Sequence, residues 1–228
     1  LAGLEEITSG EIRIGDRVDH LGHARGDQRL GARPGAAAVV ARFERHDRSR
    51  TAGGRSGCAQ SVDLGVRLAA ALRTGIRRLL QQQEHINKIN VFPVPDGDTG
   101  TNMALTLHAV FQQIGRVEIP HAGQLLTRVA DAALDGARGN SGAILAQFFL
   151  GLGDHAAAAP TLGAKELATA MEGGARYARD AMAEPREGTL LTVLAACALA
   201  IREQVQNGAR DVRSILHNAL QQSEEATR

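Results

Sequence analysis

The stretch SVDLGVRLAAALRTGIRRLLQQQE, Ser61 to Glu84, carries apolar residues at Val62, Leu64, Val66, Leu68, Leu72, Ile76, Leu79 and Leu80. They recur largely at three- and four-residue spacing, the period of one helix face, with Arg67, Arg73, Arg77 and Arg78 mostly on the other. An amphipathic helix over 61–84 is therefore predicted. Downstream, further helices are expected near 100–114, 122–135, 140–151, 163–182, 188–206 and 209–224, each preceded by a Gly, Pro, Asp or Ser signal. No convincing period-two alternation occurs, so the fold class is all-α, an antiparallel helical bundle. With no Trp, one Tyr and five Phe among abundant Ala and Leu, the composition favours closely packed helices over a sheet.

Upstream of Ser61 the pattern changes. Ten arginines and no lysine stand among Gly, Ala, Asp and Glu in residues 1–60, as in GHARGDQRLGARPG and RFERHDRSRTAGGRSG. Apolar periodicity is lost there, and the segment reads as a poorly ordered extension preceding a helical domain over 61–228. An Arg-rich nucleic-acid arm is the functional alternative, but the acidic residues nearly cancel the arginines.

The whole chain of 228 residues has 26 basic and 25 acidic side chains, a net charge of +1, which gives no global reason to invoke nucleic acid or an anionic membrane. No apolar run approaches a membrane span and no signal-peptide pattern opens the chain, so a cytoplasmic location is expected. Cys58 and Cys197 lie in unlike contexts without metal spacing, as unpaired thiols of a reducing compartment would. His85 and His108 fall at helical positions and His121 and His155 in expected loops; none has the spacing of a metal ligand. Met103 and Phe148 are read as core.

Three small-residue junctions precede helices. The first is NVFPVPDGDTGTNM, Asn90 to Met103. Pro93 and Pro95 stiffen residues 91–95 into a non-helical lead-in. Asp96 and Asp98, separated by Gly97, can aim two carboxylates at one point, where they repel unless a cation lies between them. Oxygen ligands of this kind suit Mg²⁺ or Ca²⁺, and Asn90 can add a neutral oxygen. Thr99 and Thr101 open a helix whose first N–H groups can meet an anion. The plainer reading makes Asp-Gly-Asp a turn and Thr99 or Thr101 a helix cap. The second junction, GARGNSGA from Gly136 to Ala143, places three glycines in seven residues before an apolar helix. The third is Glu187-Gly188-Thr189. In an antiparallel bundle the three helix starts can gather at one end and favour a polyanion there. Neither the P-loop motif nor the dinucleotide-binding glycine fingerprint is present.

INKINVFPVPDGDTGTNM (86–103), GARGNSGAILAQFF (136–149) and EGTLLTVL (187–194), in this order, resemble the nucleotide-binding L-domain (DhaL-like) family of dihydroxyacetone kinases. They are most similar to the N-terminal ATP-binding domain of the bacterial fatty-acid kinase subunit, over roughly residues 61–228. The resemblance implies an antiparallel barrel of α-helices binding ATP and two Mg²⁺ ions at one end. It implies Asp96, Asp98 and Asn90 as metal ligands. Thr99, Gly100, Thr101 and Asn102, with Asn140, Ser141 and Gly142, would serve the phosphates, and Gly188 with Thr189 the nucleotide pocket. Arg138 is a candidate for meeting charge on the transferred phosphoryl group, its plainer reading being a solvated loop arginine.

The implied reaction is phosphoryl transfer from ATP to a fatty-acid carboxylate presented by a separate lipid-binding protein, giving an acyl phosphate. A carboxylate nucleophile is already charged, so positioning and charge neutralisation carry such a reaction. A homodimer is compatible with this reading; nucleic acid and stable membrane insertion are not expected. Two alternatives stand beside it: a dihydroxyacetone kinase-type subunit, and a nucleotide-binding module without turnover. Arg186 stands where the family pattern favours an apolar or small residue. The chain ends in HNALQQSEEATR, where the resemblance implies a further helix and a Gly-rich turn, so a C-terminally truncated domain is expected.

Overall fold

The computed structural model describes residues 57–115 and 119–226, with residues 57–63 and 226 described by backbone alone. Among them are seven helices and no strand: α1 (Gly57–Ile89), α2 (Thr99–Ile114), α3 (Ala122–Gly136), α4 (Gly139–Ala156), α5 (Ala164–Asp180), α6 (Leu190–Gln206) and α7 (Val212–Ala226). The all-α expectation holds. The poorly ordered segment expected over residues 1–60 lies outside the described residues as far as residue 56, and so does the Cys58 side chain; α1 already begins at Gly57.

Two boundaries differ from the predicted ones for identifiable reasons. α1 continues through His85-Ile86-Asn87-Lys88-Ile89, which is polar but holds no helix breaker, and stops only as Pro93 approaches. α4 runs past Gly151 to Ala156, because that glycine admits a neighbour instead of ending the helix. A Cβ on Gly151 would come 2.6 Å from the Gly173 carbonyl oxygen and 2.7 Å from the Gly174 Cα, so α4 and α5 cross with backbones nearly touching. His155, expected in a loop, therefore lies in the last turn of α4.

Each helix packs on its successor, and α1 reaches α3 while α2 reaches α4. Val110 and Ile114 of α2 and Leu125 and Val129 of α3 are fully buried, each contributing roughly 1.5–3 kcal/mol of burial free energy. This first core takes in Met103, Ile144, Phe148 and, from the first turn of α6, Leu191. A second one joins Ala164 and Ala168 of α5, Ala200 and Ile201 of α6, and Ile215 and Ala219 of α7. Met103 and Phe148 are thus core, as read from the sequence.

Not all of the α1 arginines face outward. Arg73 Nη1 donates to the Ile114 carbonyl at the end of α2 (3.0 Å), and the Arg77 guanidinium lies 5.2 Å from the centre of the Phe111 ring. Long cationic side chains of this kind lay their stems along the apolar seam and carry their heads to a polar or aromatic partner. No helix among the described residues is long and apolar enough to cross a membrane.

The starts of α2 and α4 meet at the end of the bundle where α1 finishes. Hydrogen bonds between the end of α1 and the start of α2, and between Arg138 and α2, fix that end.

Candidate functional site

Residues 91–95 are non-helical, as the two prolines require, and lead into the Asp-Gly-Asp turn. Gly97 supplies the turn with φ of +67°, a left-handed conformation in which a side chain is strained. Asn90 Nδ2 donates to Asp96 Oδ1 at 2.6 Å, and the Asp98 N–H points to the same oxygen at 3.5 Å. The Asn90 amide and the Asp98 backbone N–H are therefore gathered on the Asp96 carboxylate. Asp98 occupies the N-cap position of α2, yet its carboxylate makes no capping hydrogen bond. The capping alternative for this junction thus falls on Asp98 and not on Thr99 or Thr101, and even there the side chain is left for other use. Val91 and Phe92 of the lead-in are exposed, at 73 % and 54 % of their full surface.

The first turn of α2 is pressed onto the end of α1. Gly100 is buried, and a Cβ there would overlap the Gln83 carbonyl oxygen. The Thr101 N–H donates to Asn87 Oδ1 (3.1 Å), while Asn87 Nδ2 and Gln83 Nε2 donate to Thr101 Oγ1 (2.9 and 3.1 Å). Asn87 and Gln83 were not singled out from the sequence. Their signal is weak, since a glutamine and an asparagine four apart on a polar helix face resemble any solvated stripe.

The start of α4 docks against the same turn. Ser141 Oγ donates to the Thr99 carbonyl (3.3 Å). Gly139, at φ of +56°, lies against the buried Asn102 amide so closely that a Cβ would overlap it. Thr106 Oγ1 donates to the Asn102 carbonyl (2.8 Å) and accepts the Arg138 N–H (3.2 Å), tying the helices together one turn further in. Gly142 fits beside Thr106 because it has no side chain. Thr99, Gly100, Thr101, Asn102, Ser141 and Gly142 thus form one contiguous junction, with Asn140 exposed on its rim. Arg138 is exposed, and its guanidinium turns back to its neighbour's carbonyl, Ala137 O, at 2.7 Å.

The third start is of a different kind. Thr189 caps α6 by accepting the Leu191 N–H (3.3 Å), and it donates to the Arg186 carbonyl (2.7 Å). Gly188, at φ of +76°, gives its N–H to Thr192 Oγ1 (2.9 Å). Thr192 in turn donates to Glu187, whose carboxylate also receives Arg179 at 2.7 Å. The Arg179 guanidinium, helped by Thr192, holds the Glu187 carboxyl below the usual carboxylate range. Leu191 anchors this start to the first core, but no hydrogen bond among the described residues joins it to the α2–α4 junction. Arg186 is exposed and paired with Glu184 (2.7 Å), so its departure from the expected small residue disturbs no packing.

As a metal site the first junction offers a pair of acids, not a cage. Among the described residues no three His, Cys, Asp or Glu side chains come together. Asp96, Asp98 and the Asn90 amide fit Mg²⁺ all the same, because that ion takes one or two carboxylates and leaves its other positions to water and phosphate oxygens. An amide also presents its oxygen where its nitrogen stood by a half-turn of the side chain.

A model of the DAK2 domain matches residues 93–228. The chain belongs to the DAK2 domain family. The DAK2 domain belongs to a kinase family, that of dihydroxyacetone kinase, which suggests a nucleotide-binding, kinase-like domain. It is 37 % identical over 129 residues to the protein YloV of Bacillus subtilis (strain 168), covering 57 % of this chain and 23 % of the relative. An uncharacterized protein of Staphylococcus aureus (strain USA300) is 37 % identical over 133 residues, covering 58 % and 24 %. The chain thus spans about a quarter of the length of the curated relatives it matches. Asp96, Asp98 and all three helix starts fall inside the DAK2 match, while Asn87 and Asn90 precede it.

Proposed function

We propose that this DAK2 domain holds ATP with two Mg²⁺ ions at the α2–α4 junction. Its γ-phosphoryl group would pass to a fatty-acid carboxylate presented by a separate lipid-binding protein, giving an acyl phosphate. The observation that carries the reading is the Asp98 carboxylate. It belongs to a helix start and makes no capping bond, and the Asp98 N–H points to the Asp96 carboxylate that Asn90 holds, where a polyanion would meet free N–H groups.

In this reading Asp96, Asp98 and Asn90 hold the metal, which when bound neutralises charge on the phosphate oxygens. The first turns of α2 and α4 orient the phosphates through their N–H groups, and Asn140 and Ser141 close the second side. The residues need supply no general base, since the acceptor carboxylate is ionised at neutral pH. The structure gives Gly188 and Thr189 internal partners, so their part is to shape the α6 edge of the pocket. Arg138 would have to swing from the Ala137 carbonyl to meet the transferred group.

Calorimetric titration with ADP and Mg²⁺ tests the site: Asp96→Ala with Asp98→Ala should abolish the metal-dependent part of binding, and unchanged affinity would refute the metal assignment. Phosphate transfer from labelled ATP tests the acceptor. Label on the fatty acid of a loaded lipid-binding protein supports the proposal. Label on dihydroxyacetone, or binding without any transfer, replaces it with one of the two alternative readings.

A further inference from the structure

Thr101 is tied to α1 more specifically than a helix start requires. Its N–H can only donate, so Asn87 must turn Oδ1 toward it (3.1 Å), and that leaves Nδ2 to donate to Thr101 Oγ1 (2.9 Å). Gln83 Nε2 donates to the same oxygen at 3.1 Å. A threonine hydroxyl has two acceptor lone pairs and one hydrogen. Both lone pairs are taken by α1, and only the hydrogen remains. Thr74, Thr106 and Thr127 each give that hydrogen to the carbonyl four residues back. Among the described residues the Thr101 hydroxyl has no such acceptor.

We infer that Asn87, supported by Gln83, is a positioning residue of the nucleotide site: it makes the Thr101 hydroxyl an obligate donor, a ligand for a phosphate oxygen and not for the metal. A cation needs a lone pair, and here none is left; an anion needs a hydrogen, and that is what this hydroxyl retains. Asn87 acts only through Thr101, and it also fixes the height at which the first turn of α2 sits on α1. The inference rests on the nucleotide reading above.

The test is calorimetric titration of the 228-residue chain with ADP and Mg²⁺, each variant checked for folding by its thermal melt. Thr101→Val should weaken binding about tenfold or more, the loss of a hydrogen bond to a charged group. Thr101→Ser, which keeps the hydroxyl, should bind nearly as the parent does. Asn87→Ala should weaken binding by a similar factor, yet add less than about twofold in the Thr101→Val background, since the two residues act as one unit.

Asn87→Asp guards against a mere folding defect. It keeps the acceptor for the Thr101 N–H but draws the hydroxyl hydrogen to itself, so it should also bind weakly, and this loss should shrink in the Thr101→Val background. Parental affinity in Asn87→Ala, or losses that multiply in the double variant, would overturn the positioning role alone. A parent chain that fails to bind ADP with Mg²⁺ overturns the nucleotide reading itself, and the positioning role with it.

Discussion

Thr106 offers a sharp test of how the two helix starts are held together. It is fully buried, and its hydroxyl both donates to the Asn102 carbonyl (2.8 Å) and accepts the Arg138 N–H (3.2 Å). Thr106→Val keeps the branched shape and removes both bonds. The Asn102 carbonyl loses little, but the partly buried Arg138 N–H loses its acceptor, at a cost of about 1–3 kcal/mol. The new methyl also points into the space left by Gly142, where even the hydroxyl oxygen is tightly fitted. A total of about 2–3 kcal/mol follows, and for a domain of this size each kcal/mol lowers the melting temperature by about 2–4 °C. Calorimetry should therefore show Thr106→Val melting roughly 4–12 °C below the parent. Thr106→Ser keeps both bonds and loses one buried methyl, about 0.8 kcal/mol, so it should melt between the two. If Thr106→Val melts within about a degree of the parent, or if the serine variant falls as far, then the hydroxyl does not join α2 to α4 and the reasoning fails.

Three further outcomes are expected. Gly139→Ala places a side chain at φ of +56° and against the Asn102 amide, and should cost about 2–4 kcal/mol in urea unfolding at constant m; a change under about 0.5 kcal/mol would contradict the close approach. Gly75→Ala, in the middle of α1 with nothing within 4 Å of the new Cβ, should instead raise stability by about 0.5–1 kcal/mol in the same assay, and a loss would show that this stretch is not helical in solution. The Asp211 carboxylate accepts Ser214 Oγ (2.6 Å) and the Ser214 N–H (2.9 Å) before α7, and these bonds, the hydroxyl's foremost, hold its carboxyl below the usual range. Because the folded value is depressed, this stabilisation is present above the ordinary carboxylate range and lost as pH falls through the lowered folded value; the gap between parent and Asp211→Ala, about 1 kcal/mol at pH 7, should narrow progressively below the ordinary carboxylate range.

The fold was legible because its signals are periodic and redundant. Of the eight apolar residues in the first helix segment, Leu64, Leu68, Leu72, Ile76, Leu79 and Leu80 lie on its buried face. The errors came where one residue type serves two purposes. Gly151 reads as a helix stop, yet here it admits the backbone of α5 at van der Waals range. Nothing local distinguishes these uses, because the difference lies in what sits across the interface. Arg73 and Arg77 were set on the solvent face by sign of charge, and their stems turned out to bridge to α2. Charge reports where the head must end, not the path of the stem.

The candidate site divides along a similar line. Residues that would touch a ligand concentrate in a loop and two helix starts, where Pro, Gly, Asp and Thr stand out against an Ala- and Leu-rich chain. Residues that hold those groups in place come from α1, where Gln83 and Asn87 look like any polar stripe. Only the antiparallel return of the chain at Pro93 and Pro95 brings them to Thr101. The consequence reaches beyond this junction. A motif embedded in an otherwise apolar sequence suggests the ligand chemistry, but the orientation of the Thr101 donor and acceptor is set by residues one helix away. In Thr101 that orientation decides whether the oxygen can meet a cation or only the hydrogen an anion. On the proposed nucleotide reading the α1 seam therefore belongs to the site as much as the Asp-Gly-Asp turn does, and substitutions at Asn87 and Gln83 should alter ligand affinity before they alter the fold.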